Sequence, residues 1–433
     1  MAFRDWLLEM ADEAAGGGPD AITHPLDSAR PSPNIDLNVF LWSLPIMTSN
    51  AFRFPDVEFT PALKALQQEV RDFLAAEKAS SGFVPVADGW GFGVDLEFSR
   101  KLGQKGWLGM TWPKQYGGHE RSSMERYVVT EELLAAGAPV SAHWVADRQS
   151  GPMILKNGTE EQKKTILPRI AAGECHFAIG MSEPGSGSDL ASLRTTATKV
   201  DGGYKINGTK IWSSGAHFCH YMIATVRTGG TRDEKNRHEG LSQFLIDLSI
   251  PGIEIRGIKN MAGDEHFNET HFTDAFVPDD CLLGEEGDGW HQVTSELGLE
   301  RSGPERFLSS AIVLTEAARK IGNEPDDRGA LMLGQSVARL KSLRRMSLGV
   351  SGLLQEGGSP TVEAALVKDI GTRYESTLLN DIRHVQPTEP LGQSTDDFAR
   401  TMAEGLLRVP SSTIRGGTNE VLRGIVARQL GLR

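Results

Sequence analysis

MSEPGSGSDLASLRTTATKVDGGYKINGTKIWSSGA, Met181 to Ala216, carries the strongest structural signal of the chain. It opens on the end of a strand and runs through Ser182-Glu183-Pro184-Gly185-Ser186-Gly187-Ser188-Asp189. Two turn signals follow, Asp201-Gly202-Gly203 and Asn207-Gly208. Alternating runs joined by turns of this kind predict antiparallel β-structure, with a hairpin at each turn. The loop from Glu183 to Ser188 is rich in Gly and Ser, so backbone N–H groups and hydroxyls can approach a ligand closely. Taken alone, Gly-Ser-Gly-Ser is more commonly a plain surface turn.

Outward from this stretch, the 433 residues suffice for two or three domains with substantial cores. A net charge of −12 argues against nucleic acid as the partner of the whole protein, and an anionic ligand would need local positive groups. Cys175, Cys219 and Cys281 show no CxxC spacing, which points to a reducing, cytoplasmic setting with no disulfide framework and no zinc site. No apolar run reaches transmembrane length. The acidic, interrupted start MAFRDWLLEMADEAAGGG does not read as a secretory signal.

Residues 1–50 read as a loop-like or disordered extension, broken by Gly16-Gly17-Gly18-Pro19 and Pro31-Ser32-Pro33. From Thr60 the pattern is helical. Thr60 is an N-cap with Pro61 behind it, and Leu63, Leu66, Val70, Phe73 and Leu74 form one stripe. Helices are expected over Ser123–Ala136 and Thr159–Ala172, the second with Glu160 and Glu161 in its dipole-favoured first turn. Strand signals then dominate from His176 to Leu283, including Tyr221–Val226, Gln243–Leu248 and Ile253–Ile258. After Gly284–Gly289 the chain turns helical again from near Trp290, with breaks at Gly322–Asp327, Gly357–Pro360 and Gln386–Gln393. The order is α, β, α.

The Met181–Ala216 string closely resembles the middle-domain signature of the acyl-CoA dehydrogenase family. LGQKGWLGMTWPKQYGG, Leu102 to Gly118, resembles that family's first-domain signature, and Asn268–Gly284 its exit from the β-domain. The resemblance implies an α+β fold: an extension over 1–50, an N-terminal helical domain over 51–176, a middle antiparallel β-domain over 177–284 and a C-terminal helical domain over 285–433. It also implies an FAD cofactor, an acyl-CoA substrate, an electron-transfer flavoprotein as acceptor and a homodimer or homotetramer, with a heteromer as the variant. In the family, the residues matching Met181 and Ser182 lie against the flavin, and those matching Trp212, Ser213 and Ser214 cover its other side. Ser188 then helps hold the acyl-CoA, and Thr418, Asn419 and Glu420 match the segment that touches the flavin nucleotide.

The implied reaction removes a proton beside the thioester carbonyl and a hydride from the next carbon, so it needs a carboxylate base and donors to the thioester oxygen. Medium- and short-chain members place the base in a C-terminal Glu-Gly-Thr motif. Here Gly416 stands at that position, in Ile414-Arg415-Gly416-Gly417-Thr418. Another branch carries the base after the β-domain, just before an arginine, and Leu297-Gly298-Leu299-Glu300-Arg301 matches it. The resemblance thus assigns Glu300 as base, with Arg301 and Gly417 on the substrate side. Glu305 also precedes an arginine, but on a continuous helix it would lie roughly 140° away from Glu300. Gly303-Pro304 is expected to kink that helix. The family's subunit-bridging Arg-x-x-Phe-Gly string is reduced here to Asp327-Arg328-Gly329, leaving Arg328 as its remnant. An oxidase, a desulfinase-like enzyme and a non-catalytic partner subunit are the competing readings on the same fold.

Overall fold

The computed structural model describes residues 52–229, 236–300 and 303–432, and for 296–300 the backbone only. The expected extension over 1–50 lies outside the described residues.

Thr60 does cap the first helix, α1 (Pro61–Ala79), its hydroxyl accepting from the Leu63 N–H. Short helices α2 (Gly89–Phe92) and α3 (Leu96–Gln104) follow. α4 (Ser123–Ala135) begins with a reciprocal capping box between Ser122 and Glu125. α5 (Ser141–Val145), one π-helical turn (Ala146–Ser150) and α6 (Gly151–Asn157) form a continuous run. α7 (Glu160–Ala171) is capped by a second box, Thr159 with Gln162. Burial of Leu63, Leu66, Val70 and Leu74 against α4 and the later helices makes one core shared by both helical regions.

The middle region is an eight-stranded sheet. Its strands are β1 (Phe177–Gly180), β2 (Thr196–Val200), β3 (Gly203–Ser214), β4 (Tyr221–Arg227), β5 (Leu241–Asp247), β6 (Ile253–Ile258), β7 (Phe267–Pro278) and β8 (Leu282–Leu283). The order is β6-β7-β3-β2-β4-β5-β8, mostly antiparallel, with β1 added parallel to β4. Asp201-Gly202 makes the expected hairpin between β2 and β3. Asn207-Gly208 does not: β3 continues straight through it, and the register shift there comes from an extra residue on β7, where Asp274 adopts φ 48°. Gly208 has φ 141°, and a Cβ there would stand 2.6 Å from Thr195 Oγ1, so the glycine serves a close strand approach rather than a turn. Asn207 holds the bulged Asp274 of β7 through paired hydrogen bonds.

The helices after the sheet are α8 (Gly289–Glu300), α9 (Ala311–Ile321), α10 (Asp327–Gln355), α11 (Thr361–Val385), α12 (Asp397–Arg408) and α13 (Asn419–Gln429). The interruptions fall where the sequence places them. Rather than kinking α8, the Gly303-Pro304 step lies beyond its end and starts a separate 3-10 turn, Pro304–Arg306. No helix among the described residues is long and apolar enough to cross a membrane.

Candidate active site

One buried ion pair fastens the Gly/Ser loop to the sheet. Lys210 lies on the same face of β3 as Tyr204 and Ile206, and its ammonium is fully buried. Its Nζ donates to Glu183 Oε1 at 2.8 Å and to the Met181 carbonyl at 3.1 Å. Glu183 further accepts from the N–H groups of Arg194 (2.6 Å) and Thr195 (2.9 Å). Burial pulls the Lys210 ammonium down to about 8 against the pull of Glu183. Burial also pushes the Glu183 carboxyl up, but the Lys210 charge and these hydrogen bonds outweigh that and hold it below its usual range. The Glu183–Ser186 turn closes with two backbone bonds, leaving Ser188 on its exposed side. A cleft of about 320 Å³ lies beside it, lined by Pro184, Gly185, Ser192, Arg194 and Thr209.

Beyond Lys210 the strand breaks register, and Trp212 adopts φ 63°. A non-glycine residue in that left-handed region costs on the order of 1–3 kcal/mol, a strain that clusters at ligand sites. The indole is 55% exposed and meets Phe267 edge-on at 5.8 Å. Ser213 is buried, its Oγ without a hydrogen-bond partner among the described residues. Ser214 pairs with Phe267. The Ile211 N–H donates to the Ser182 carbonyl, so Met181–Ser182 and Trp212–Ser214 are neighbours. An outward-held indole, a hydroxyl with no partner and adjoining half-buried backbone fit the flavin of FAD.

Aromatic contacts carry this corner into the helical region. Phe92 packs on His266 at 5.0 Å and on Phe267 at 5.9 Å. At the start of the same helix α2, Asp88 takes the Arg415 guanidinium at 2.7 Å. Arg415 and Arg306 both lie over the Trp90 ring, at 4.1 and 5.2 Å. Ser309 ties the cluster together: its carbonyl accepts from Asp88 N–H, its hydroxyl from Trp90 Nε1, and its N–H donates to Glu375 at 2.6 Å. Burial, then the Asp88 charge, pushes the Glu375 carboxyl up to about 8.

Gly416 lies within this cluster. Its φ is 66°, and a Cβ built on it would stand 3.3 Å from two Arg306 guanidinium nitrogens. The position that carries a glutamate in the Glu-Gly-Thr pattern is therefore filled by an arginine from another element. Glu300 ends α8; its side chain, and Arg301 entirely, lie outside the described residues. The helical-wheel argument that set Glu305 apart from Glu300 does not apply, because α8 stops before Glu305. Glu305 is buried between Arg306 (3.7 Å) and Arg148 (3.8 Å), at the junction of both helical regions. Thr418 caps α13 through the Val421 N–H, and Glu420 is exposed. The Asn419 side chain turns inward to Lys368 and Thr372, and the Gly417 carbonyl accepts from Lys368 at 2.6 Å. Arg328 donates to the His384 carbonyl of its own chain.

Sequence reasoning missed the Glu183–Lys210 staple and the Asp88–Trp90–Arg306–Arg415 cluster. The first had a signal, a lysine at an inward strand position. The second joins residues more than three hundred positions apart and had none.

Two family models match the chain: the acyl-CoA dehydrogenase N-terminal domain over residues 60–174 and the acyl-CoA dehydrogenase middle domain over 178–275. The chain is 32% identical to acyl-CoA dehydrogenase FadE26 of Mycobacterium tuberculosis over 86% of its own length and 96% of the relative's. Among solved structures it resembles the ChsE4-ChsE5 complex from Mycobacterium tuberculosis (TM-score 0.74, 32% identity, 88% of this chain and 100% of that one). It also resembles the Tcur3481-Tcur3483 steroid ACAD (TM-score 0.77, 29% identity, 87% and 99%). With the helix–sheet–helix order, the stapled loop and these matches together, the chain belongs to the acyl-CoA dehydrogenase family of flavoprotein oxidoreductases.

Proposed function

We propose that the protein desaturates an acyl-CoA thioester between its α and β carbons, with Glu300 as the base that takes the α-proton. The observation that carries this reading is the Met181–Ser188 loop fixed by Lys210 beside the strained Trp212, a scaffold that a degenerate partner subunit would have no reason to keep. Met181, Ser182, Trp212, Ser213 and Ser214 would hold FAD from the sheet side, and Thr418, Asn419 and Glu420 from the end before α13. When bound, FAD accepts the hydride from the β carbon.

The chain's own residues do the remainder. Ser188 and Gly417 orient the thioester, and Arg301 is assigned to the substrate by the family resemblance. Glu300, at the end of α8, receives the proton; a carboxylate in water-poor surroundings has its pKa raised towards the operating pH. The indole of Trp212 excludes water from one side. Electrons then pass to an electron-transfer flavoprotein. The resemblance to structures named as a complex and as a steroid ACAD supports a bulky acyl group and an oligomer, a heteromer included.

The test is product analysis. Incubation of the FAD-loaded protein with an acyl-CoA panel and a one-electron acceptor is expected to yield a 2,3-enoyl-CoA, lighter by two hydrogens. Consumption of O₂ with hydrogen peroxide formed would favour an oxidase, and no product from any thioester would refute the desaturation.

A further inference from the structure

A second cleft, about 370 Å³, lies away from the loop site, between α4, the π-turn with α6, and the end of α10. Trp112, Pro152, Leu155 and Leu354 give it apolar walls, and Arg126, Arg148 and Lys156 give it three cations. Arg148 is already engaged: it donates to Thr130 Oγ1 at 3.2 Å, stands 3.8 Å from Glu305 Oε2 and lies over the Trp144 ring. Lys156 reaches Ser295 of α8 at 3.5 Å. Arg126 differs. It is half-buried, and among the described residues its guanidinium makes no hydrogen bond and no ion pair. Burial, and then the neighbouring Arg148 charge, lowers it to about 10, against weaker support from Asp147 and Glu305. The Arg126 nitrogens still reach the cleft's solvent, so the guanidinium has donors to offer an anion that enters. Apolar walls around a planar cationic fork suit a carbon chain that ends in a carboxylate. Through Lys156 and Ser295 one wall of the cleft touches α8, five positions before Glu300.

We infer that the cleft receives the far end of the acyl group, and that this end carries a carboxylate bound by Arg126. This rests on the acyl-CoA reading and narrows it to CoA thioesters of carboxylated acyl groups. Lys156 and Arg148 add to the local positive field in a chain whose net charge is −12.

The experiment measures anaerobic flavin reduction in the FAD-loaded protein with a length-matched pair, octanoyl-CoA and the mono-CoA thioester of octanedioic acid. Discrimination by a buried charge pair predicts kcat/KM for the carboxylated thioester to be roughly tenfold or more above the neutral one. Arg126→Gln is expected to collapse that ratio, and Arg126→Lys to restore part of it. A ratio near one in the wild type, or one that Arg126→Gln leaves unchanged, overturns the inference. Calorimetric titration with free octanedioate separates the two levels of the argument. Binding that Arg126→Gln abolishes, with no thioester reducing the flavin, would leave the carboxylate site standing and remove the dehydrogenase reading. No binding of octanedioate to the wild type would remove the site.

Discussion

Gly416 has two reasons to be glycine: a left-handed backbone and the Arg306 guanidinium pressed against it. Both act against a side chain there, whichever glutamate is the base. In a Glu300→Gln background, Gly416→Glu is therefore expected not to restore flavin reduction, because the new carboxylate would meet Arg306 and not the substrate. Stopped-flow reduction rates check this, and recovery to within tenfold of wild type would show that the position is still competent. Glu375 supplies a second prediction at this scale. Its folded-state pKa, about 8, lies above the ordinary carboxylate range, so its contribution to stability is fully present at low pH and is lost as pH rises towards 8. Glu375→Gln keeps the acceptor for Ser309 N–H and removes the titration. It is expected to be more stable than wild type at pH 8, on the order of 1–3 kcal/mol, and no more stable at pH 5. Denaturant midpoints at the two pH values give the answer.

At the scale of elements, β3 is the part on which the site depends. It carries the close approach at Gly208, the buried Lys210 and, at its own register break, the strained Trp212. Removing one partner of a buried ion pair leaves an uncompensated charge and costs about 3–5 kcal/mol. Lys210→Met should therefore release the Glu183–Ser188 loop, lowering both thermal stability and FAD affinity. Trp212→Ala relieves backbone strain less than glycine would, yet removes the aromatic cover, and should weaken FAD binding while leaving stability near wild type. Fluorescence titration with FAD reads both variants; undiminished affinity in each would take the strand out of the site. Element order was legible in the sequence because caps and breakers are local: Thr60 and Thr159 cap where expected. Asn207-Gly208 was misread because a glycine kept small by a close approach within a strand gives the same dipeptide as a tight turn, and only the neighbouring chain at Thr195 distinguishes them. The Arg306–Gly416 contact was illegible for a different reason, since it arises from packing between distant helices and loops.

Across the whole molecule, histidines buried in a neutral state set the acid limit. Burial lowers His143 to about 3 and His176 and His266 to about 4. In the unfolded chain each would take a proton near pH 6.5, so the stability they contribute is present above that value and is lost as pH falls towards 4. By the usual conversion each accounts for about 2 kcal/mol between pH 7 and pH 5. A stability profile by chemical denaturation is expected to fall steeply over that window, and His143→Asn, which keeps a partner for Ser99, should flatten it. A profile level from pH 7 to 5 would contradict the assignment of neutral, buried rings. Exposed Ile414, Val421 and Leu331 on the C-terminal helices and the loop before α13 offer apolar surface for a second subunit. Light scattering is expected to report a dimer or larger, and a stable, active monomer would refute that.

Desaturation as proposed depends on Glu300 taking the α-proton. The most direct measurement is anaerobic flavin reduction by an acyl-CoA in wild type, Glu300→Gln and Glu305→Gln, each first shown to bind FAD and thioester. Glu300→Gln is expected to lose roughly 10²–10⁴-fold or more in the reduction rate, while Glu305→Gln loses far less. Near-normal flavin bleaching in Glu300→Gln, with the loss falling on Glu305→Gln instead, would contradict it.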